Sequence, residues 1–490
     1  MAHRKNARFY LNLVIGLSLM FFFPLINPIG PITSVGMSVL GIFLGMIWLW
    51  ISVDGMWPSL LALLLIGLCG YVPDAPGHAG VKSVFASAFG NETVLIVVFF
   101  MVFLSAVGGV GLPSHIARFL LKRKFLEGKP YLLLYMMVFC SYTLAGLADV
   151  MIALFILWPI AQEICNKCNY EKGSRFYYTI MCSVFFGAAI GQPLLPFKGM
   201  TAGLMETFRQ GMGQSINLGS WLVFNVIMAV LLFFCYILMI RFFIRPDVSA
   251  IKNLTCEDIV SGSNEKMNTA QKVVAIELLC IILFVLAQNL LPATVPGIKF
   301  LKSLGVVGIL IVMISIAMCL KNSEGKPVIN LRTFCKKSFN FNMYFQVTAA
   351  VYLANALTDN STGIKIALVD IMEPILGGVH PLMFVALIIL LTIIATNVAN
   401  NMIVGVIMLT LLSAFYSTMD GLNAVAVGAL IIMSCVVAML LPSGSVYSSM
   451  LHARSDLVSF KEIQIVFIPT IIVTAVLYFA VGYPLAQIIF

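Results

Sequence analysis

Residues 131–164 read YLLLYMMVFCSYTLAGLADVMIALFILWPIAQEI, and this almost wholly apolar stretch decides the fold. Basic loops flank it on both sides, so the positive-inside rule predicts that both of its ends lie in the cytoplasm. Two membrane spans of about 20 residues each, with a turn between them, do not fit into this length. We therefore predict a re-entrant hairpin with its tip at residues 146–149. Non-helical backbone at that depth persists only inside protein or beside a water-filled cavity, which makes the tip a candidate site.

The composition extends this reading to the whole chain. Of its 490 residues, 61% are hydrophobic and only 10% are charged, which is typical of a protein whose solvent is the bilayer. The net charge of +9 is explained by Lys and Arg gathered in cytoplasmic loops, so no nucleic-acid partner is predicted. We expect a multi-pass protein of the cell membrane, surrounded by lipid.

The charged loops orient the remaining apolar stretches. Arg4, Lys5 and Arg8 place the N-terminus in the cytoplasm, and the first apolar run is read as a retained span because no convincing cleavage site follows it. The predicted fold class is an all-α polytopic membrane protein with about eleven transmembrane helices and two re-entrant hairpins. The predicted spans are 9–28, 35–53, 56–72, 93–111, 177–205, 220–242, 272–292, 303–320, 340–358, 422–446 and 465–486.

A weak internal repeat divides the chain. The tripeptide 148–150 resembles 396–398 at an offset of 248 residues, and 180–184 resembles 432–436 at an offset of 252. The repeat unit of the first half begins inside the cell and that of the second half outside, so the repeat is inverted. The predicted division is an N-terminal helix, a first repeat unit with its hairpin at about 131–164, a cytoplasmic linker, and a second unit with its hairpin at about 378–419. These parts cover residues 1–33, 34–245, 246–271 and 272–490.

Each unit has a helix that glycine and proline interrupt. The breaks are predicted at 191–193 and at 442–445, because proline removes a helical hydrogen bond and glycine weakens the helix. Paired interrupted helices mark the midplane site of many transporters. Freed amides attract anions, and freed carbonyls with Asn, Thr, Ser or Asp side chains suit Na⁺.

Three side chains stand out for this chemistry. Asp149 is a functional candidate because an intramembrane carboxylate is costly, although it could also simply cap a helix. Asn397 could coordinate a ligand or form a hydrogen bond between helices. Lys198 could attract an anionic substrate or extend toward the membrane interface.

The order of these elements resembles the divalent-anion/sodium symporter family of the ion-transporter superfamily, which carries dicarboxylates, citrate and sulfate. The resemblance covers about Ser34 to Ile489 and includes the stretch 89–93. That family has a Ser-Asn-Thr motif at each hairpin tip and a Thr-Pro-Pro-type break in each partner helix. It implies an elevator mechanism and a homodimer.

The resemblance also assigns site residues. Its second half fits better than its first, where 148–150 reads Ala-Asp-Val instead of Ser-Asn-Thr, and both tips lack the hydroxyl that the family directs toward substrate carboxylates. The implied substrate-binding residues are Asp149, Val150, Gln192, Pro193, Thr396, Asn397, Val398 and Ser445. The implied residues for the coupling ion, Na⁺ or H⁺, are Asp149, Gly191, Thr392, Ala395, Asn397 and Gly444.

The resulting prediction is a secondary active transporter that moves a small anion, such as a di- or tricarboxylate or sulfate, together with Na⁺ or H⁺. No cofactor is expected beyond Na⁺. An alternative on the same architecture is a cation/proton antiporter or an arsenite-type permease. An enzyme is not predicted, because no Ser-His or His-Glu-x-x-His constellation occurs in the sequence.

Overall fold

Helices form almost all of the structure, since a chain in lipid must satisfy its backbone hydrogen bonds within each segment. The computed structural model describes residues 2–71, 80–253, 267–292, 294–321, 325–328, 330, 333, 340–376, 378–416, 419 and 421–490. Within these residues there are twenty-one α-helices and no β-strand. Residues 254–266 of the predicted linker lie outside the described residues.

Eleven helices precede the linker. They are α1 (Ala2–Phe22), α2 (Ser34–Ser52), α3 (Met56–Leu68), α4 (Val81–Phe89), α5 (Glu92–Gly109), α6 (Leu112–Leu121), α7 (Pro130–Leu147), α8 (Val150–Lys167), α9 (Arg175–Gly191), α10 (Gly199–Met212) and α11 (Leu218–Met239).

Ten helices follow it. They are α12 (Thr269–Leu290), α13 (Ile298–Cys319), α14 (Phe341–Thr358), α15 (Ile364–Leu376), α16 (Pro381–Val398), α17 (Asn401–Phe415), α18 (Ala424–Cys435), α19 (Val446–Ala453), α20 (Phe460–Leu477) and α21 (Tyr483–Ile489).

The helix lengths confirm the predicted fold class. Ten helical segments of the described chain are long and apolar enough to cross a bilayer, and they include both arms of the first hairpin, α7 and α8, and the first arm of the second, α16. The helices α3, α17 and α18 are shorter and apolar. A helix lies at each of the eleven predicted spans, two of which are broken into α9 with α10 and α18 with α19. The short helices α4, α6 and α15 were not expected. The chain is a multi-pass integral membrane protein.

The same order of elements occurs in both halves. From α5 to α11 the chain has a long helix, a short helix, a helical hairpin, a broken helix and a final span, and α14 to α20 repeat this order. The final spans even share a detail, because α11 and α20 both continue into a π-helical turn, at Ile240–Ile244 and at Tyr478–Gly482. The residue boundaries between N-terminal helix, units and linker stay predictions.

The two hairpins match residue for residue in their first arms and turns. Each begins with a proline at the first helical position, Pro130 and Pro381, which lie 251 residues apart. Each first arm has 18 residues, a two-residue turn follows, and the second arm begins at Val150 or Asn401, again 251 residues apart. The structure therefore pairs Asp149 with Asn400. The sequence comparison, which paired Asp149 with Asn397, was wrong by three residues.

The halves interlock around the broken helices. In the first half α9 packs against both hairpin arms, α7 and α8, and in the second half α18 packs against α16 and α17. Across the halves, α10 packs against α14 and α17, while α20 packs against α9 and α11. This arrangement brings each helix break to the tip of a hairpin.

Candidate functional site

The first hairpin turns at Asp149, which caps the N-terminus of α8. Its Oδ1 accepts a hydrogen bond of 2.8 Å from the Met151 amide, as a capping side chain does. Tyr447, near the start of α19, interacts electrostatically with the same carboxylate. Because α19 follows the break of the second half, this interaction connects the two halves at the tip.

Lys198 brings a positive charge to this tip. It directly precedes α10, its side chain is only 8% exposed, and it interacts electrostatically with Asp149. Its Nζ donates to the carbonyl oxygen of Ala145 and lies 3.5 Å from that of Gly146. Both oxygens belong to the last turn of α7, where carbonyls have no partner within the helix. The ammonium thus joins the break to the end of the first hairpin arm.

The first break is fixed by close packing. A Cβ atom at Gly191 would lie 2.3 Å from the Tyr142 carbonyl oxygen, so only glycine allows α9 to approach α7 this closely. Gln192 and Pro193 are buried, and the Pro193 carbonyl accepts a hydrogen bond of 2.8 Å from the indole of Trp221 in α11. The break is a rigid element, as a preorganised site requires.

Asn397 forms the corresponding junction in the second half. Its Nδ2 donates to the carbonyls of Ile393 and Val437, and its Oδ1 accepts from the amides of Met439 and Leu440, all at 2.8 Å. Both acceptor positions and both donors of the amide are therefore used. The side chain ties the end of α16 to the non-helical segment 436–445, which begins before the predicted break at 442–445.

The neighbouring hydroxyl groups are also engaged. Thr396 Oγ1 donates to the Cys435 carbonyl at 2.7 Å, and Thr392 Oγ1 donates to a carbonyl within its own helix at 2.5 Å. Ser445 caps α19 by accepting from the Ser448 amide at 3.0 Å. Each of these oxygens keeps acceptor capacity for a cation or a donor.

The backbone at this junction is equally close. The Gly444 carbonyl accepts from the Asn401 amide at 2.9 Å, and a Cβ atom at Gly444 would lie 2.6 Å from the Thr396 carbonyl oxygen. Ala395 is half-buried one turn before the end of α16. The predicted second-half residues are thus gathered around one crossing of α16 with the break.

The two valines of the hairpin tips differ in exposure. Val150 is completely buried, whereas Val398 is 60% exposed at the end of α16. The other predicted residues cluster at the two junctions between hairpin and break, and the interaction between Asp149 and Tyr447 joins these junctions. Their roles in binding stay predictions.

A polar cavity of about 760 Å³ reaches the first break from one side. It runs along α10, from Phe197 in the break to Arg209 near the helix end, and α5 and α13 form other walls. Its charged lining comprises Glu92, Glu206, Arg209 and Lys302. Such a cavity provides a polar route between an aqueous surface and the break.

Glu206 organises the wall of this cavity. It is 5% exposed and accepts two hydrogen bonds from Arg209, at 2.7 and 2.5 Å. Asn91, Thr93 and Gln210 donate to the same carboxylate at 3.0, 3.2 and 3.0 Å. A buried carboxylate is stable when it is paired and hydrogen-bonded in this way.

Sequence reasoning missed Tyr447, Glu206 and Arg209 as site residues. The Glu206–Arg209 pair has a sequence signal, because opposite charges three residues apart in an otherwise apolar helix lie on one face and mark a functional region. Tyr447 has no such sequence signal, because its position near Asp149 depends on how the two halves pack together.

Comparisons with known proteins agree with this architecture. The sequence model described as "Citrate transporter" (CitMHS) matches residues 46–437, most of the chain. No protein with a curated description matches the sequence. The crystal structure of the YdaH transporter of Alcanivorax borkumensis, described as having an unusual topology, is similar with a TM-score of 0.54 at 14% identity. That match covers 92% of this chain and 98% of the other.

The structural likeness concerns the fold alone, whereas the sequence match concerns the family. The sequence match shows a transporter of the ion-transporter superfamily rather than an enzyme, and it supports a carboxylate or related anion as the substrate class. The narrower assignment to the divalent-anion/sodium symporters stays a prediction. The chain belongs to the citrate transporter family.

Proposed function

We propose that this protein is an ion-coupled symporter of a di- or tricarboxylate, with citrate as the first candidate, and that it works in the cell membrane. The observation that carries the proposal is the meeting of a broken helix with a hairpin tip in each half, within a chain of the citrate transporter family. Sulfate is the other anion that the sequence prediction named.

The anion would bind where the breaks offer backbone amides. The helices α10 and α19 begin directly after the two breaks, and their first amides and dipoles favour negative charge. Ser445 directly precedes α19, whereas Gln192 and Pro193 lie at the beginning of the first break. Arg209 and Lys302 on the cavity wall would attract a carboxylate toward the first break. The second anionic group of the substrate would face the second junction.

The coupling cation would bind beside the same tips. Oxygen atoms suit Na⁺, and Thr392, Ala395 and Gly444 supply a hydroxyl and backbone carbonyls at the second junction. Asn397 already accepts two amide hydrogen bonds, so in this conformation it would hold the site together instead of coordinating strongly. In the first half, Asp149 would take up the proton if the coupling ion is H⁺.

An elevator movement and a homodimer remain part of the proposal. The packing of α10 against α17 and of α20 against α9 supports the movement, because it joins the hairpin and break of one half to those of the other. The proposed orientation has the N-terminus and the hairpin α7–α8 entering from the cytoplasm.

The test is uptake of radiolabelled citrate into proteoliposomes under an inward Na⁺ gradient and, separately, an inward H⁺ gradient. Succinate and sulfate provide parallel arms, and empty liposomes with the same gradients are the control. Accumulation above equilibrium under one gradient supports symport and identifies the coupling ion. Absence of uptake of all three anions by folded protein would refute the proposal.

A second candidate is cation/proton antiport or arsenite permeation on the same architecture. The intramembrane pair of Asp149 with Lys198 favours it, since such charges can exchange cations without an organic substrate. Na⁺/H⁺ exchange in anion-free proteoliposomes, or arsenite uptake, would distinguish it from symport.

A further inference from the structure

The two hairpins end in different ways at one equivalent position. Asn397 in the second hairpin lies 251 residues after Gly146 in the first, which is the offset that relates the hairpin arms. A Cβ atom at Gly146 would lie 2.4 Å from Cδ2 of Leu194, so the first hairpin has no room for a side chain here. In the first half the connection between hairpin and break is made by Lys198, whose side chain extends from the break to the hairpin.

The surroundings of the Lys198 ammonium are those of a bound cation. Its Nζ contacts the carbonyl oxygens of Ala145 and Gly146, and the Asp149 carboxylate supplies the opposite charge. Carbonyl and carboxylate oxygens are the ligands that hard cations prefer, and the C-terminal end of α7 adds the negative pole of its helix dipole. The side chain is buried and turned toward the hairpin instead of toward the cavity along α10.

We propose that the Lys198 ammonium is a tethered cation that occupies the cation position of the first hairpin, so this half binds no Na⁺ of its own. The position that directly precedes the post-break helix is Lys198 in the first half and the neutral Ser445 in the second. Only the second junction is therefore left for a mobile Na⁺. This inference rests on the proposed ion coupling and assigns its stoichiometry.

The test measures Na⁺ binding to detergent-purified protein with radiolabelled Na⁺ and a scintillation proximity assay, in the absence of any anion. Wild type is expected to bind at most one Na⁺ per chain, and Thr392→Val should weaken that binding. Lys198→Gln removes the charge and should bind one Na⁺ more than wild type. Lys198→Arg keeps a cation and should show no gain, as should the control Lys299→Gln, which removes an exposed lysine outside the junctions.

Two Na⁺ ions per wild-type chain would overturn the proposal, and this measurement decides even if Lys198→Gln does not fold. No additional Na⁺ in folded Lys198→Gln would overturn it as well. Because the assay contains no anion, failure of citrate uptake in proteoliposomes would refute the proposed function without changing this outcome.

Discussion

In both halves a polar side chain connects the hairpin to the helix break, but the two side chains differ in charge and in the direction in which they extend. In the second half a neutral amide, Asn397, reaches from the hairpin to four backbone groups, two of them amides of the break. In the first half an ammonium, Lys198, reaches from the break to two carbonyls of the hairpin. An amide can satisfy donors and acceptors together, whereas an ammonium can only donate.

This difference suggests that the two halves have different roles in cation binding. A neutral junction leaves the hydroxyl and carbonyl oxygens of the second half available for a mobile ion. A charged junction brings its own cation and needs the Asp149 carboxylate nearby, because an unpaired lysine at the membrane centre costs roughly 3 kcal/mol or more. Substitutions in matched positions of the two halves can separate these roles.

The largest loss of stability is expected for Asn397→Ala. The substitution leaves the amides of Met439 and Leu440 without their acceptor, and each buried group left unpaired costs about 1–3 kcal/mol. Thermal unfolding of the purified protein should occur at a clearly lower temperature than in wild type. Thr410→Val, which removes a hydrogen bond within α17 alone, is the control. Equal stability of Asn397→Ala and wild type would show that the second junction is not held by this amide.

Gly191→Ala and Gly444→Ala come next and compare the backbone contacts of the two junctions. Each added Cβ atom would lie within 2.6 Å of a hairpin carbonyl oxygen. The end of α9 and the segment 436–445 must therefore move away from the hairpins, at a cost of about 1–3 kcal/mol. Both variants should lose stability and transport. Gly109→Ala, where the added atom meets nothing within 4 Å, should behave as wild type. A loss in only one of the two variants would show that the junctions are not equally tight.

Asp149→Asn and Asn400→Asp exchange the capping residues of the two hairpins. Both residue types cap helices well, so thermal stability should change little. Asp149→Asn removes the carboxylate beside Lys198, and we expect the dependence of uptake on Na⁺ concentration or pH to shift. Asn400→Asp adds a charge where the second half has none, and it should reduce anion uptake. Unchanged ion and pH dependence in Asp149→Asn would exclude Asp149 from coupling.

The smallest effect is expected for Arg454, which follows the second post-break helix and forms an ion pair with Asp456, and the matched ion pair of the first half is that of Arg209 with Glu206. Glu206, the partner of Arg209, is buried, whereas Asp456, the partner of Arg454, is 56% exposed. An exposed ion pair contributes about 0–1 kcal/mol, so Arg454→Gln should have little effect on stability or uptake. Arg209→Gln leaves the Glu206 carboxylate without its cation and should raise the KM for citrate several-fold. A similar KM in both variants would place the cavity outside the anion's route.

The helical spans, the two hairpins and the breaks were predictable because they depend on local quantities. Length, apolar composition and basic loops determine where a chain can cross a bilayer, and the basic loops on both sides of 131–164 predicted the hairpin. The length argument was less secure, because the structure has two apolar helices of 18 residues each at this place. Glycine and proline placed the first break correctly, since α9 ends at Gly191.

The second break shows where local reasoning fails. Its first proline is Pro442, yet α18 already ends at Cys435, because Asn397 binds backbone groups of residues 437, 439 and 440 that would otherwise continue the helix. A tertiary contact overrides the propensity of an apolar run. The same limit explains the wrong pairing of Asp149 with Asn397, since three-residue similarities carry less information than the shared length of the hairpin arms.

The equal length of the two first hairpin arms also constrains how relatives of this protein can diverge. One inserted residue would turn the rest of an arm by about 100° and move it by about 1.5 Å along its axis. The carbonyls of Ala145 and Gly146 would then leave the reach of Lys198, and Asn397 would lose the break. Insertions and deletions should therefore accumulate in the connecting loops, and alignments of related sequences should run without gaps through 130–150 and 381–401.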